Sequence, residues 1–99
     1  MKRGGSVYIL TNSHNQVLYT GVTADLFKRI SEHRENKYEK SFTASYNVYK
    51  LVYYQNFLTI VEAIAEEKRI KGGSRARKIK LIEGINPEWK DLWEMISKW

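Results

Sequence analysis

Two short runs near the start of the chain alternate hydrophobic with other side chains and are rich in β-branched residues, tyrosine and leucine. They cover residues 6–10 and 17–22, and they flank the polar sequence Thr-Asn-Ser-His-Asn-Gln at residues 11–16. Runs of this kind favour strands, and the polar stretch between them favours a turn. The pattern therefore predicts a β-hairpin at the start of the fold.

A helical pattern follows the hairpin. Thr23 and Asp25 are capping residues that come just before the apolar positions Leu26, Phe27 and Ile30. Capping residues before an apolar stripe indicate a helix start. We expect a first helix that reaches about residue 36 and then a polar loop over residues 37–45.

The next hydrophobic run, residues 48–54, is apolar on both of its alternating faces. A strand that is covered on both sides shows such a pattern. We therefore expect this run to be the central strand of a small sheet.

Three further helices are predicted after this strand. Thr59 is expected to cap a second helix that ends at Lys71, before two glycines, and Ser74 a third helix that ends near Gly84. A last helix should start at Asn86 as N-cap, with proline next and an apolar stripe of Trp89, Leu92, Trp93 and Ile96. The element order ββαβααα predicts an α/β or α+β class, with a small, mostly antiparallel three-stranded sheet flanked by helices.

Length and composition limit the architecture and the chemistry. Ninety-nine residues with 42% hydrophobic content suffice for one core, so we expect a single domain over residues 1–99. The chain has no cysteine, which excludes disulfides and thiolate zinc sites, so any bound metal should be a hard cation with oxygen ligands. No apolar run is long enough for a signal peptide or a membrane span. We expect a cytoplasmic monomer.

The charge distribution points to a phosphate-rich partner. The net charge is +6, and residues 68–80 contain seven lysines and arginines without an acid. Such a run is often only a solvated helix surface. Beside seven tyrosines it also fits nucleic-acid binding. The candidate contacts are Lys68, Lys71, Arg75, Arg77, Lys78 and Lys80.

One acidic residue of the second predicted helix lies on the apolar side. Ile60, Ala63, Ile64 and Ile70 cluster on one side at 100° per residue, and Glu67 falls within this arc. A carboxylate there loses hydration and needs a cation, hydrogen-bond donors or a raised pKa. Metal binding and a contact with a buried tyrosine or arginine are equally good interpretations.

The first helix and the hairpin supply further candidate site residues. Arg29 and His33 are four residues apart and share a helix face, where they could bind an anionic phosphate or form surface pairs with nearby acids. Tyr8 and Tyr19 lie on the two hairpin strands and could be cross-strand neighbours, although hairpin tyrosines usually serve packing. Gly21 stands where the backbone turns into the helix.

The order of these residues resembles that of the GIY-YIG nucleases. The first family motif corresponds to Val-Tyr-Ile-Leu at residues 7–10, and the second to Tyr-Thr-Gly at residues 19–21. Further motif segments place Arg29 in the first helix, then Glu67-x-x-Ile-Lys-Gly, then Asn-Pro-Glu-Trp at residues 86–89. The similarity spans nearly the whole chain and is greatest to the small stand-alone bacterial branch. Val7 replaces a glycine and Thr20 an isoleucine, both at backbone or packing positions, and Gly73 stands where relatives have an aromatic residue.

The resemblance implies a DNA endonuclease that hydrolyses phosphodiester bonds, with a role in DNA repair or recombination. Glu67 matches the ligand of a single Mg²⁺ or Mn²⁺ ion, and Arg29 the arginine that stabilises the scissile phosphate. Tyr8 matches a general base or water-positioning group, which Tyr19 and His33 complement. The resemblance also matches Asn86 with a late asparagine of the motif set, although an N-cap role explains it fully. DNA is the expected partner, without a membrane or a small-molecule cofactor.

Two other functions stay open at this stage. One is a catalytically weak or inactive nucleic-acid-binding module with the same fold. The other is a protein-interaction domain that uses the tryptophan-bearing C-terminal segment, residues 89–99. The complete set of candidate catalytic residues favours the enzyme, because a binding module has no need of a carboxylate that faces its phosphate site.

Overall fold

The computed structural model describes residues 4–35 and 47–98. The elements, in chain order, are strands β1 (Gly5–Thr11) and β2 (Leu18–Thr23), helix α1 (Leu26–Arg34), strand β3 (Lys50–Phe57), and helices α2 (Ile60–Lys71), α3 (Arg75–Ile85) and α4 (Trp93–Ile96). The predicted end of the first helix near residue 36, the predicted loop over residues 37–45, and Trp99 lie outside the described residues.

The three strands form one antiparallel sheet in the order β2-β1-β3. The prediction that residues 48–54 form the central strand is therefore wrong, since β1 is central. All seven residues of β1 are buried, whereas β3 is exposed at Gln55 and Asn56. Helices cover both faces of the sheet, so β3 can bury both faces of its first half without having a strand on each side.

The alternation of β1 divides the core into two clusters. Val7 and Ile9 pack with Ala63 and Ile70 of α2 and with Ile82 of α3. On the opposite face, Tyr8 and Leu10 pack with Leu26 and Ile30 of α1 and with Ile96 of α4. The tyrosine of the first motif therefore points toward α1.

Local capping forms the helix starts that the sequence predicts. Asp25 is the N-cap of α1, and its carboxylate accepts a hydrogen bond from the backbone N–H of Lys28 at 3.2 Å. Thr59 caps α2 in a capping box with Glu62. These bonds satisfy backbone donors that a helix start leaves unpaired.

The C-terminal region differs from its prediction. Asn86 is the C-cap of α3, not the N-cap of a new helix, and the last helix spans only Trp93–Ile96. The Asn86 amide donates to the carbonyl oxygens of Val52, at 3.0 Å, and Lys90, at 2.8 Å. Trp89 adopts a φ of 56°. Contacts with β3 and a left-handed residue thus replace the predicted helical turns.

Two further apolar positions test the predicted helix faces. Ile64 was expected in the apolar cluster of α2 but is 38% exposed. Trp93 is half-buried and stacks on Phe27 with the ring centroids 5.2 Å apart. The indole therefore packs largely on the domain, which weakens the case for a sticky C-terminal surface. Within the described ranges, no helix has the length and apolar character needed to span a bilayer.

Candidate active site

Tyr8 is positioned by the glycine opposite it in the hairpin. Tyr8 pairs with Gly21 in the register of β1 and β2. A Cβ atom at Gly21 would lie 2.4 Å from both the Cζ and the hydroxyl oxygen of Tyr8. The missing side chain therefore leaves the space that the phenol ring occupies, which explains the glycine of the second motif by packing.

Tyr8, Tyr19 and His33 form an aromatic cluster. Tyr19 pairs with Leu10, so it is a diagonal neighbour of Tyr8 and is not directly opposite it. The ring centroids are 6.4 Å apart for the two tyrosines, 5.9 Å for Tyr8 and His33, and 5.8 Å for Tyr19 and His33. The Tyr8 hydroxyl lies 3.2 Å from Nε2 of His33 in a buried hydrogen bond.

Arg29 lies one helical turn before His33 and faces this cluster. Its positive charge lowers the pKa values of both Tyr8 and His33, so the guanidinium lies near both side chains. Its Nε atom is also 3.5 Å from Oε1 of Glu32. The side chain is 41% exposed, so the cation remains accessible to an anion from solvent. This placement agrees with the shared helix face that the spacing predicts.

The surroundings hold Tyr8 and His33 in their neutral forms. Burial chiefly raises the pKa of Tyr8, with a further contribution from Tyr19, and the nearby Arg29 only partly offsets them. Burial lowers the pKa of His33, and the charge of Arg29 lowers it further. A phenol next to a neutral imidazole can pass a proton to the imidazole, but a resting phenolate is disfavoured.

Glu67 is turned inward on α2. It is only 8% exposed, and its carboxylate is close enough to Tyr8 to raise the pKa of that phenol slightly. Its Oε2 atom lies 2.7 Å from Nζ of Lys71, one turn further along α2. The expected burial is therefore confirmed. The sequence suggested a buried tyrosine or arginine as one possible partner of Glu67, whereas the structure pairs its carboxylate with Lys71.

An open pocket lies beside this ion pair. Its volume is about 390 Å³, and its lining residues are Leu18, Tyr19, Thr20, Lys71 and Lys78. Thr20 is 4% exposed, as suits a motif position with a packing role. Tyr19 and Lys71 thus connect the aromatic cluster and the Glu67 carboxylate to one accessible cavity, which carries two cationic side chains.

The predicted basic run is divided between two helices. Lys68 and Lys71 belong to α2, whereas Arg75, Arg77, Lys78 and Lys80 belong to α3. A second pocket of about 300 Å³ is lined by both cationic and apolar side chains, and Lys78 lines both pockets. The residues that line it are Arg69, Ile70, Gly73, Arg77, Lys78, Lys80 and Leu81. Of the six predicted contacts, Lys71, Arg77, Lys78 and Lys80 thus line the two pockets, whereas Lys68 and Arg75 line neither.

The side-chain amide of Asn86 forms hydrogen bonds with backbone groups of the fold. It is 5% exposed, its Nδ2 atom has two carbonyl acceptors, and its Oδ1 atom accepts from the backbone N–H of Lys90 at 3.0 Å. These bonds join the end of α3 to β3. A catalytic role for Asn86 stays a prediction, whereas its role in holding this turn is evident from the bonds.

The donor set fits a magnesium-like ion better than zinc. In the described part of the chain, no three histidine, cysteine, aspartate or glutamate side chains cluster as metal ligands would. A single inward carboxylate beside an open pocket suits Mg²⁺, which keeps several waters and typically takes only one or two carboxylates plus substrate phosphates. Glu67 is the residue that could hold such an ion.

The sequence interpretation missed the partner of Glu67. Lys71 was expected only as a nucleic-acid contact, yet its ammonium pairs with the candidate metal ligand. The spacing of four residues on one helix is the signal that could have revealed it. The closeness of α1 to the hairpin could not be read from local spacing, because it depends on packing across the sheet.

The comparisons with known proteins agree with this fold and this set of residues. The chain belongs to the GIY-YIG family, since the model of the GIY-YIG catalytic domain matches residues 4–80. This family consists of endonucleases that generally depend on divalent metals, so the predicted family and a nuclease-type function are supported.

The relatives are small stand-alone proteins. The UPF0213 protein of Syntrophus aciditrophicus is 40% identical over 82 residues, which cover 83% of this chain and 92% of the relative. The UPF0213 protein of Oceanobacillus iheyensis is 40% identical over 77 residues, covering 78% and 87%. The solution NMR structure of the UPF0213 protein of Bacillus halodurans is 28% identical with a TM-score of 0.57, covering 89% of this chain and 92% of that one. The predicted stand-alone branch and α+β fold are confirmed.

A Gly21→Ala substitution tests the packing of Tyr8. The added methyl group would collide with a ring that is completely buried, so we expect a loss of about 1–3 kcal/mol in the free energy of unfolding. Gly84→Ala is the matched control. A Cβ atom at Gly84, inside α3, meets no heavy atom of the described residues within 4 Å, so stability should rise by roughly 0.5–1 kcal/mol. Urea denaturation measures both, and an unchanged stability of Gly21→Ala would contradict the packing explanation.

Proposed function

We propose that this protein is a divalent-metal-dependent endonuclease that hydrolyses phosphodiester bonds in DNA, in repair or recombination, and that it acts as a cytoplasmic, single-domain monomer. One observation carries the proposal. Tyr8, Tyr19, Arg29 and His33 converge from the hairpin and α1, while a buried carboxylate, that of Glu67, lies within electrostatic range of Tyr8.

Arg29 is the proposed phosphate contact. Its guanidinium is near enough to Tyr8 to lower the pKa of that phenol and is still partly exposed, so two N–H groups can face the non-bridging oxygens of a scissile phosphate. A preorganised donor at the position where negative charge grows stabilises the transition state by a few kcal/mol, as an order of magnitude. Glu32 would orient the guanidinium from the other side.

Tyr8 and His33 are the proposed proton acceptors for the attacking water. Because the pKa of Tyr8 is raised, its phenol stays protonated at rest and orients the water through its oxygen. As the water attacks the phosphorus atom, the phenol oxygen takes a proton from it and passes its own proton to Nε2 of His33, 3.2 Å away. The lowered pKa of His33 keeps that imidazole neutral at rest, and Nε2 can accept the proton in the tautomer whose hydrogen is on Nδ1.

Glu67 is the proposed ligand of the metal. A Mg²⁺ or Mn²⁺ ion, when bound, supplies charge stabilisation at the phosphate and at the departing oxygen. The carboxylate is well suited to this role because burial limits its hydration, whereas a hard cation can compensate for that loss.

One observation favours a second candidate function, a nucleic-acid-binding module with weak or absent catalysis. Lys71 already neutralises the Glu67 carboxylate, so Glu67 has a structural partner without any metal. The basic surface of α2 and α3 would serve such a module equally well. The two functions differ in whether strand breaks appear.

A panel of DNA substrates separates the two candidates. Single-stranded, duplex, flapped and branched DNAs are incubated with the purified protein in the presence of Mg²⁺, Mn²⁺ or a chelator, and the products are separated on denaturing gels. Cleavage that requires the metal supports the nuclease. Binding of the same DNAs without cleavage under any of these conditions would identify the binding module.

The basic surface predicts how DNA affinity depends on charge. Changing both Lys78 and Lys80 to glutamine should weaken binding to a similar extent for DNAs of different sequence and make the dependence on salt less steep, because backbone contacts carry no sequence information. The double variant Lys90→Gln with Lys98→Gln removes the same charge from exposed positions outside both pockets. Fluorescence anisotropy at several salt concentrations measures affinity. A loss confined to particular sequences would contradict backbone binding.

A further inference from the structure

The ion pair between Glu67 and Lys71 places a cation on the carboxylate of the proposed metal ligand. Nζ of Lys71 lies 2.7 Å from Oε2 of Glu67. The two side chains are unlike in their surroundings, since that of Glu67 is 10% exposed and that of Lys71 is 54% exposed. The carboxylate is therefore held in place, whereas the lysine can swing away from it.

The Lys71 side chain also borders a cavity that an anion could enter. It lines the open pocket together with Tyr19 and Lys78, so a phosphate bound in that pocket would lie beside the ammonium group. An ammonium group that leaves Glu67 can thus meet a phosphate oxygen in that pocket without unfolding any part of α2.

This inference rests on the proposed nuclease function. We propose that Lys71 is a resident counter-ion of Glu67, which a divalent cation must displace to reach the carboxylate. The DNA backbone promotes this exchange by binding the released ammonium group. Metal and DNA then bind cooperatively. In the free protein the lysine competes with the metal for the Glu67 carboxylate and repels the metal. In the complex with DNA, a phosphate binds the Lys71 ammonium group, and the Glu67 carboxylate becomes available to the metal.

The coupling follows from charge balance. A lone carboxylate with a lysine already has no net charge, so it attracts a divalent cation weakly. Because the pair is partly exposed, its own strength is modest and an arriving phosphate can compete with it. Lys71 is therefore a positioning residue, which acts on the reaction through Glu67.

Metal binding to the whole protein tests this inference without relying on activity. Isothermal titration with Mn²⁺ is carried out on the wild type and on Lys71→Met, which keeps most of the side-chain volume and removes the charge. We expect Lys71→Met to bind Mn²⁺ about three- to tenfold more tightly in the absence of DNA, since it loses both the competing cation and the repulsion. Lys71→Arg keeps a cation and should stay close to the wild type.

Two further titrations sharpen the result. Lys68→Met removes the same charge from an exposed neighbour on α2, so it should change the Mn²⁺ affinity by less than about twofold if contact rather than general charge matters. Adding a DNA with non-cleavable phosphorothioate linkages should tighten Mn²⁺ binding of the wild type more than that of Lys71→Met.

The possible outcomes separate this inference from the proposed function. Mn²⁺ binding that depends on Glu67 but is equal in the wild type and Lys71→Met would overturn the inference alone. Failure of the wild type to bind Mn²⁺ with or without DNA, or binding that Glu67→Gln leaves unchanged, would overturn the metal role of Glu67 and this inference with it.

Discussion

Glu67→Gln should abolish metal-dependent DNA cleavage while leaving the fold intact. The amide keeps the shape of the carboxylate but removes the negative charge that a hard cation needs, so we expect the cleavage rate to fall by about 10³-fold or more, by analogy with the loss of a principal electrostatic group. The fold should survive because the lost contact is one ion pair with the half-exposed Lys71. Such pairs usually contribute less than about 1 kcal/mol.

Glu66→Gln is the matched control for this experiment. Glu66 precedes Glu67 on α2, and its carboxylate pairs with Arg69 on the outer side of the helix. The same chemical change one position earlier should therefore leave cleavage within about twofold of the wild type, as expected for a surface pair. Rates come from single-turnover assays with Mg²⁺ and Mn²⁺, and circular dichroism reports the fold. Full cleavage by a folded Glu67→Gln variant would remove the proposed metal role.

Arg29→Lys should reduce the cleavage rate by about 10²-fold, the loss typical of removing one preorganised donor. Lysine keeps the positive charge but replaces a planar fork by a single ammonium group, which cannot hold two phosphate oxygens in the same geometry. The effect should fall on the rate of the chemical step and much less on DNA affinity.

The control is Arg34→Lys on the same helix. Arg34 pairs with Asp91 at 2.8 Å and lies over the Trp93 ring, away from the aromatic cluster of the site. Its replacement should lower stability slightly and leave the rate of cleavage nearly unchanged. Comparing the cleavage rates and DNA affinities of Arg29→Lys and Arg34→Lys decides whether Arg29 acts at the scissile phosphate. If Arg29→Lys cleaves as fast as Arg34→Lys, Arg29 serves only as a surface partner of Glu32.

Much of the fold was predictable because it depends on neighbours in sequence. The hairpin formed with a turn in which Asn12 accepts hydrogen bonds from the backbone N–H groups of Gln16 and Val17. Three of the four predicted N-caps, at Asp25, Thr59 and Ser74, were also confirmed. Caps and turns satisfy backbone groups within a few residues, so the local sequence contains the necessary information.

Strand order and the C-terminal segment were not predictable in this way. An apolar run shows that a strand is buried, but it does not say which neighbours bury it, and β1 proved to be the central strand. Asn86 has the sequence context of an N-cap, yet its amide bonds to Val52 of β3 and closes α3 instead. A contact over 34 residues outweighed the local helix signal there.

The sequence by itself determined the elements as far as α3, the helix caps at Asp25, Thr59 and Ser74, the inward placement of Glu67 and the order of residues by which the family is recognised. Only the tertiary structure decided that His33 meets Tyr8, that Gly21 makes room for the phenol ring, and that Lys71 holds the Glu67 carboxylate. The physical reason is the range of the forces involved. Periodicity and capping act over one or two turns, whereas side-chain contacts and electrostatic environments depend on which surfaces the packed sheet brings together.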